Sequence, residues 1–192
     1  MKFFFLRHTS LKVRQDVFYG QTDLDVSENF SYELKNIKDK LKKEKLKLNK
    51  IKIYSSPLKR CVKLAQSISN KIVFDKRLME LNLGEWEMKP KNKISKKLIK
   101  DWEDNLMTFK IPNGETNKDF LKRLKAFLDD LEKEKNDALI VSHAGSINGM
   151  ISILTGERFD KLLKNYWEKL SYGSLSLLEF KINKFEIKYI GR

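Results

Sequence analysis

The stretch Met1-Lys-Phe-Phe-Phe-Leu-Arg7-His8-Thr9-Ser10 determines how the rest of the chain is interpreted. Its apolar run, Phe3 to Leu6, is followed directly by an arginine and a histidine, as when a buried parallel strand stops at a polar site. In open α/β sheets, ligands bind at the carboxyl ends of such strands. An arginine and a histidine at that position predict an anion-binding site that also holds a nucleophile or a base.

The other histidine of the chain follows an apolar run in the same way. Ala138 to Ser142 is the cleanest buried strand of the sequence, and it leads into His143, after which Ala144-Gly145-Ser146 opens a helix. A further strand, Ile51 to Tyr54, precedes a helix whose first turn carries Arg60. Because both histidines follow buried strands and lie beside anion-binding groups, we favour a catalytic interpretation over a structural one.

The remaining periodicity alternates strands with helices. The other predicted strands are Lys2 to Leu6, Ile72 to Phe74, Ser174 to Phe180 and, after a turn at Asn183, Phe185 to Ile190. Helices are predicted after an N-cap at Ser27, from Ser55-Ser56 with Pro57 in the first turn, and over Lys93 to Glu103, Thr116 to Lys133, Ile147 to Leu154 and Phe159 to Glu168. This alternation indicates an α/β fold with a mostly parallel sheet. No linker or repeat divides the chain, so we expect a single domain over residues 1–192.

The composition is that of a globular protein. Hydrophobic residues make up 41% and aromatic residues 11% of the chain, enough for a packed core. The single cysteine, Cys61, cannot pair within the chain and lies on the apolar face of a predicted helix, so we expect it to pack rather than react. No apolar run approaches the roughly 20 residues of a membrane span. We therefore expect a cytoplasmic protein with neither a signal peptide nor a membrane segment.

The charge is strongly basic, with a formal net charge of +14 that comes mostly from scattered lysines. Such a surface could bind the phosphates of a nucleic acid, or it could be a solvated surface that attracts anionic substrates at long range. No base-reading module or interleaved aromatic platform accompanies the lysines. We favour the solvated surface and expect no nucleic-acid partner.

The residue types at the strand ends suit phosphoryl transfer. Two guanidiniums can clamp a phosphate, and the first N–H groups of the helix after His143 add a positive end. A neutral imidazole can attack phosphorus and form a phosphohistidine, and a carboxyl group must then protonate the leaving oxygen. From the residues alone, Glu80, Glu85 and Glu87 are all candidates for that carboxyl group.

Five segments, taken together and in order, resemble the histidine phosphatase (phosphoglycerate mutase-like) superfamily. They are similar to its Arg-His-Gly/Thr, Ser-Ser-Pro-x-x-Arg-Ala, Leu-x-Glu-x-x-x-Gly-x-Trp-Glu, Pro-Gly-Gly-Glu-Ser and Val-Ser-His-Gly/Ala-Gly motifs. The matching segments here are Arg7-His8-Thr9, Ser55 to Cys61, Leu78 to Glu87, Pro112 to Thr116 and Val141 to Gly145. They span nearly the whole chain, which makes the resemblance specific.

The resemblance implies a three-layer α/β/α sandwich and a phosphomonoesterase that uses no metal ion or other cofactor. His8 would be the phosphorylated nucleophile. Glu80 would be the proton donor and later the base, which leaves Glu85 and Glu87 as solvated loop residues. The phosphoryl oxygens would be held by Arg7, Arg60, His143 and Ala144.

A finer resemblance concerns the segment Val17-Phe18-Tyr19-Gly20-Gln21-Thr22-Asp23. Together with Thr9 in place of glycine, it looks like the alpha-ribazole phosphatase subgroup, which acts in cobalamin assembly. The substrate would be a small-molecule phosphate monoester, alpha-ribazole 5'-phosphate, with Thr9, Tyr19 and Gly20 at its binding site. An ordinary turn is an equal alternative for Tyr19 and Gly20. The sequence leaves open a homodimer.

Two departures from the family pattern limit the resemblance. Arg14 lies where many relatives carry an asparagine and either contacts phosphate or belongs to the surface. Met88 replaces the usual glycine after Trp-Glu, which puts the shape of the acid-bearing loop in question. The alternatives are a broad-specificity phosphatase, a phosphoglycerate mutase, or a basic nucleic-acid-binding protein with a vestigial site.

Overall fold

The computed structural model describes residues 1–14 and 16–192. In these residues strands and helices largely alternate, as the periodicity predicts. The elements are β1 (Lys2–Arg7), α1 (Phe30–Lys43), β2 (Lys52–Ser55), α2 (Lys59–Ile68), β3 (Val73–Phe74), α3 (Lys96–Asp104), α4 (Asn117–Lys133), β4 (Ala138–Ser142), α5 (Ala144–Thr155), α6 (Phe159–Tyr166), β5 (Leu175–Lys181) and β6 (Lys184–Tyr189). Short 3₁₀ turns lie at Lys76–Leu78, Gly84–Trp86 and Lys91–Lys93.

The strands form one sheet in the order β3-β2-β4-β1-β5-β6. The pairs β3–β2, β2–β4 and β4–β1 are parallel, whereas β5 is antiparallel to both β1 and β6. In the register, Arg7 lies opposite Ser142, and Ser55 lies opposite Val141. The carboxyl ends of β1, β4 and β2 therefore lie side by side at one edge of the sheet, which is where α/β sheets bind ligands.

Helices cover both faces of the sheet. In β1 the side chains alternate between the faces: Phe3 and Phe5 pack with α4, α5 and α6, whereas Phe4 and Leu6 pack with α1 and α2. Strands buried on both faces need apolar side chains at every position, which explains the continuous hydrophobic runs of β1 and β4. The three-layer α/β/α sandwich with a mostly parallel sheet is thus confirmed.

A third apolar cluster lies in the long connection between β3 and α4. Leu83, Trp86, Ile94 and Ile111 are its buried members, and Trp102 of α3 packs its ring against Trp86 with the centroids 5.9 Å apart. This cluster stabilises a part of the chain that contains little regular structure.

The predicted caps of α1 and α2 are wrong. The residue before α1 is Asn29 rather than Ser27. The Ser27 hydroxyl instead accepts a hydrogen bond from the Asn29 N–H (3.2 Å), within a turn that precedes the helix. α2 follows Leu58, with Pro57 outside the helix. Here the hydroxyl of Ser56 lies 2.8 Å from Nε2 of His143, so the serine contacts the site at the sheet edge.

Other boundaries differ by smaller amounts. α5 begins at Ala144 rather than Ile147, directly after β4. The helix predicted over Lys93 to Glu103 is divided into a 3₁₀ turn and α3, which is capped by the Ser95 hydroxyl. The predicted turn at Asn183 is confirmed, and it joins β5 to β6 with positive φ angles at Ile182 (47°) and Asn183 (63°), as a type I′ hairpin requires. None of the helices in the described residues is both long and apolar enough to cross a membrane.

Candidate active site

A cavity of about 680 Å³ opens at the carboxyl ends of β1, β2 and β4. Seven of the predicted site residues line this cavity: Arg7, His8, Tyr19, Arg60, Glu80, His143 and Ala144. Thr9 and Gly20 are buried and do not line the cavity. The cavity is lined both by charged side chains, such as Arg7, Arg60 and Glu80, and by many aromatic side chains.

His8 directly follows β1, and its imidazole has a defined orientation. The ring is 2% exposed, and its Nδ1 lies 2.8 Å from the carbonyl oxygen of Thr9. Because a carbonyl only accepts, Nδ1 carries the proton and Nε2 keeps a lone pair. Burial, and then the positive charges of Arg60 and Arg7, hold the pKa of His8 well below its ordinary value. Thr9 therefore acts through its main-chain carbonyl, since its hydroxyl is buried without a partner.

Arg7 lies against an aromatic ring that sequence reasoning did not identify. Its guanidinium carbon is 4.2 Å from the ring centroid of Tyr172, and one of its N–H groups donates to the carbonyl of Leu170. The same ring lies 5.6 Å from that of His8, and its hydroxyl is 2.6 Å from the hydroxyl of Tyr19. Cation–π contact with Tyr172 thus orients the guanidinium. No motif marks Tyr172 in the sequence.

Arg60, in the first turn of α2, is completely buried. Its Nη1 and Nη2 donate to the carbonyls of Thr22 (2.8 Å) and Gly20 (2.6 Å), and its Nε donates to Nδ1 of His143 (3.1 Å). In the part of the chain that the structure describes, no carboxylate pairs with Arg60 or Arg7. Two guanidiniums held mainly by neutral groups leave a positive field that an anion would neutralise.

His143 is a second neutral imidazole. Because its Nδ1 accepts from Arg60, the proton lies on Nε2, which donates to the Ser56 hydroxyl (2.8 Å). Burial, followed by the charge of Arg60, lowers its pKa well below the ordinary value. The rings of His143 and His8 are 5.2 Å apart between centroids, so strand ends that are distant in sequence meet here.

Glu80 approaches the same site from a segment without helix or strand. Its Oε2 accepts from the Gly145 N–H (2.9 Å) and its Oε1 from the Leu81 N–H (2.9 Å). The sequence predicts that the first N–H groups of α5 face phosphate, but the Gly145 N–H instead donates to this carboxyl group. A Cβ atom at Gly145 would lie 2.5 Å from Oε1 of Glu80, so only glycine permits this approach.

The prediction that Glu87 is a solvated loop residue is wrong. Its carboxylate accepts from the N–H groups of Gly20 (2.9 Å) and Gln21 (2.8 Å) and from the hydroxyl of Thr22 (2.6 Å). Burial would raise the pKa of Glu87, but these donors outweigh it and the pKa is lowered. Glu87 therefore holds the loop whose carbonyls bind Arg60. Glu85 is exposed, as expected.

Gly20 allows this loop to pack closely against the segment at Leu81. A Cβ atom there would lie 1.9 Å from the carbonyl oxygen of Leu81, so glycine is required for the contact between the two segments. Gly20 contributes its carbonyl to Arg60 and its N–H to Glu87, and it has no side chain to offer a ligand.

The two departures from the family pattern are Arg14 and Met88, and the structure accounts for each of them differently. Arg14 forms an ion pair with Asp16 (2.7 Å), and its side chain is 74% exposed at the outer rim of the cavity. Met88 has a φ of 61°, a conformation that glycine adopts more easily. The methionine thus keeps the backbone that a glycine would have at this position, and its N–H donates to the carbonyl of Phe18 (2.7 Å).

Cys61 packs beneath the site, as predicted. Its Sγ is 3.6 Å from Nε2 of His143, and burial raises the pKa of the thiol to about 12. A thiol this far from ionisation is a poor nucleophile at neutral pH. Within residues 1–14 and 16–192 there is no group of three or more His, Cys, Asp or Glu side chains arranged to hold a metal ion.

The order and geometry of these residues can now be set beside known proteins. Residues 3–192 match the histidine phosphatase superfamily (branch 1). The chain belongs to this superfamily. A protein of Hydrogenobacter thermophilus that bears the provisional name phosphoserine phosphatase 2 is 28% identical over 170 residues, which cover 84% of this chain and 82% of that protein.

Solved structures show the same fold as this histidine phosphatase. The alpha-ribazole phosphatase of Shigella flexneri superposes with a TM-score of 0.80 at 18% identity, covering 100% of this chain and 96% of the other. A mutant phosphoserine phosphatase of Entamoeba histolytica, in complex with phosphoserine, superposes with a TM-score of 0.83 at 19% identity, covering 99% of this chain and 96% of the other. The TM-scores establish a common fold, whereas identities this low leave the substrate open.

Proposed function

We propose that this histidine phosphatase hydrolyses phosphate monoesters through a phosphohistidine formed on His8. The observation that carries the proposal is the Nδ1–H of His8 bound to the Thr9 carbonyl, which leaves the Nε2 lone pair available in a cavity shared with Arg7 and Arg60. A neutral imidazole with a directed lone pair, beside two guanidiniums, is suited to attack a phosphorus atom.

The reaction has two steps. Nε2 of His8 forms a bond to phosphorus while the ester P–O bond breaks, and Glu80 gives its proton to the departing oxygen. Water then attacks the phosphorus of the phosphohistidine while the P–N bond breaks and returns its electron pair to Nε2 of His8. The ionised Glu80 takes a proton from that water, and inorganic phosphate leaves. Arg7 and Arg60 stabilise the charge on the phosphoryl oxygens in both steps. His143, whose N–H donates to Ser56, holds Arg60 through its Nδ1.

The nucleophile is tested by trapping labelled phosphate on the protein. The wild-type enzyme, quenched with alkali during turnover, is expected to carry a base-stable, acid-labile adduct, and His8→Ala is expected to carry none. The Cys61→Ser variant is the control, since Cys61 is buried and has no role in the proposed chemistry. An adduct of normal yield on His8→Ala would exclude His8 as the nucleophile.

The acid is tested with Glu80→Gln, which keeps the shape of the side chain and removes its proton. General acid catalysis is worth about 10²- to 10⁴-fold, so turnover of an alkyl phosphate should fall by that amount. Glu85→Gln is the matched control, because Glu85 is exposed and does not line the cavity. Full activity in Glu80→Gln would remove Glu80 from the mechanism.

The walls of the cavity support a substrate with an aromatic group, and we propose alpha-ribazole 5'-phosphate, whose base is a benzimidazole. Among the cavity residues that the structure describes, Glu80 is the single acidic one, so no further carboxylate is available for an ammonium group. The aromatic wall residues are Phe18, Tyr19, Trp86, Trp102, Phe120, Phe159, Trp167 and Tyr172.

Phosphoserine is the second candidate substrate, favoured by the 28% identity to the Hydrogenobacter protein. The two candidates differ in apolar surface, and burying one aromatic group is worth about 1.5–3 kcal/mol. We therefore expect kcat/KM for alpha-ribazole 5'-phosphate to exceed that for phosphoserine by about tenfold to 100-fold. A preference for phosphoserine would reverse the assignment, and equal values would indicate a broad-specificity phosphatase.

A wall variant links this preference to the structure. Trp167 lines the cavity and is 53% exposed, so Trp167→Ala should fold normally. It should lower kcat/KM for alpha-ribazole 5'-phosphate and leave that for phosphoserine unchanged, whereas Tyr32→Ala, which removes an exposed aromatic ring outside the cavity, should change neither.

Phosphoglycerate should be tested for isomerisation in parallel, since mutase activity would show as a shifted phosphate without hydrolysis. Turnover of any ester would exclude a vestigial site on a nucleic-acid-binding protein.

A further inference from the structure

We propose that Arg123, together with Glu115, is a positioning residue that places the Glu80 carboxyl group for protonation of the leaving oxygen. This inference rests on the proposed role of Glu80 as the general acid. Arg123 lies on α4, does not line the cavity and has a side chain that is 19% exposed. Its direct contacts on the side of the site are with the segment that carries Glu80.

The guanidinium of Arg123 donates to three carbonyls of that segment. Its Nη1 lies 2.7 Å from the oxygen of Arg77 and 2.6 Å from that of Met79, and its Nη2 lies 2.8 Å from the main-chain oxygen of Glu80 itself. These are charge-assisted hydrogen bonds, which are stronger than bonds between neutral groups. One side chain thus defines the path of the backbone through the residue that bears the carboxyl group.

Glu115 holds the guanidinium in place and also binds the same segment. Its Oε1 accepts from Nε of Arg123 (2.7 Å) and its Oε2 from Nη2 (2.9 Å), a bidentate pair. The Oε2 atom also accepts from the N–H of Asn82 (3.1 Å), and the Glu115 N–H donates to the Asn82 carbonyl (2.9 Å). Glu115 is therefore bound to the chain two residues beyond Glu80 as well as to Arg123.

This arrangement requires an arginine. The guanidinium presents five N–H donors in a planar fork, and here they serve three carbonyls and both oxygens of one carboxylate. The lysine ammonium has three donors and no fork, so Arg123→Lys keeps the charge but leaves some of these carbonyls without a partner. The segment should then shift while the phosphate-binding groups on the strand ends stay in place.

The expected consequence depends on the leaving group. p-Nitrophenolate departs as an anion without a proton, whereas the oxygen of an aliphatic alcohol must be protonated as it leaves. A displaced Glu80 should therefore slow the cleavage of an alkyl phosphate and leave that of an activated aryl phosphate nearly intact. Because kcat/KM reports the steps up to release of the alcohol, it isolates this protonation from the later attack of water.

The experiment compares p-nitrophenyl phosphate with benzyl phosphate, which has similar size and a poor leaving group. For Arg123→Lys we expect kcat/KM for benzyl phosphate to fall by about 100-fold, as for a misplacement of about 1 Å, while that for p-nitrophenyl phosphate falls less than about threefold. Inhibition by vanadate should be unchanged, because phosphate binding is intact. Arg158→Lys is the control, since Arg158 forms an ion pair with Asp160 on the surface (2.6 Å) and should behave as wild type.

Two outcomes would overturn the inference. An equal loss on both esters in Arg123→Lys would mean that the residue stabilises the fold as a whole, and no loss on either would mean that Glu80 is placed without it. Glu115→Gln, which keeps the side-chain shape and weakens the ion pair, should show the same leaving-group dependence with smaller amplitude and remains informative if Arg123→Lys does not fold. If Glu80→Gln itself shows no leaving-group dependence, the proposed function fails instead.

Discussion

The two halves of the site are held in place by different means. Arg7 ends β1, and His8 and His143 come directly after β1 and β4. Main-chain pairing in the sheet sets their relative positions, since Arg7 lies opposite Ser142 in the parallel register. Glu80 follows no strand, and the carbonyls around it are bound by side chains. The donors to residues 77–80 are Arg123, Ser142, Ser146 and Gln21.

This difference has a physical reason and a consequence. Buried main-chain carbonyls need hydrogen-bond donors, and a segment outside the sheet obtains them from side chains that are distant in sequence. Substitutions of residues around the strand-end half should therefore have little effect on activity, whereas substitutions of its site residues themselves should have a large one. The Glu80 half should be sensitive to substitutions at residues that never contact a substrate.

The largest effect is expected from Arg60→Lys, in the first turn of α2 beside the strand ends. The lysine cannot donate to the carbonyls of Gly20 and Thr22 and to His143 at once, and the phosphoryl group loses a guanidinium. Loss of such a donor costs about 10²- to 10³-fold, so we expect kcat/KM to fall by about 10³-fold. A loss below tenfold in steady-state kinetics would show that charge alone suffices there.

The next effect concerns the Glu80 half and comes from Gly145→Ala. The added Cβ atom would lie 2.5 Å from Oε1 of Glu80 and displace the carboxyl group, so kcat/KM for an alkyl phosphate should fall by about 100-fold. A double-mutant cycle with Glu80→Gln checks the cause, because the two losses should not add if both act through this carboxyl group. Additive losses would place the effect of Gly145 elsewhere.

A smaller effect, on stability, is expected from Glu87→Gln, which weakens the bonds to the loop that carries Gly20 and Thr22. The free energy of unfolding in urea should fall by about 1–3 kcal/mol at neutral pH. Because the folded-state pKa of Glu87 is lowered, its contribution is present above the unfolded pKa of about 4.3 and is lost as the pH falls below it. The difference between wild type and Glu87→Gln should thus shrink in acid.

Glu85→Gln is the control for that measurement. Glu85 is exposed and accepts one hydrogen bond, from Nδ2 of Asn113 (3.0 Å). Its substitution should change the free energy of unfolding by less than about 0.5 kcal/mol. If the two glutamine variants lose equal stability, Glu87 does not hold the loop in the way that its hydrogen bonds indicate.

The smallest effect is a shift in the titration of the two histidines. Burial and the nearby guanidiniums lower the pKa values of His8 and His143, so both rings should stay neutral as the pH falls through about 6.5, the ordinary value. NMR can follow the two imidazoles separately, since the chain contains no other histidine. A midpoint at or above 6.5 for His8 would contradict a neutral nucleophile held between two cations.

The α/β class and the strand-end residues follow from the sequence because they depend on local patterns. A continuous apolar run is buried on both faces, and the residue after it must appear at the sheet edge, which is why Arg7, His8 and His143 could be placed together without coordinates. The motif register likewise selected Glu80 rather than Glu85 or Glu87, and the structure brings Glu80 into the cavity.

The supporting contacts could be found only in the tertiary structure. Glu87, predicted to be a solvated loop residue, binds a loop more than 60 residues away in the sequence. Arg123 binds carbonyls more than 40 residues away. A charged residue in a loop or on a helix has the same local pattern whether it faces water or a buried carbonyl. Each apolar run thus marks the groups at the end of its strand, whereas the side chains that hold Glu80 and Arg60 in place depend on how distant segments pack together.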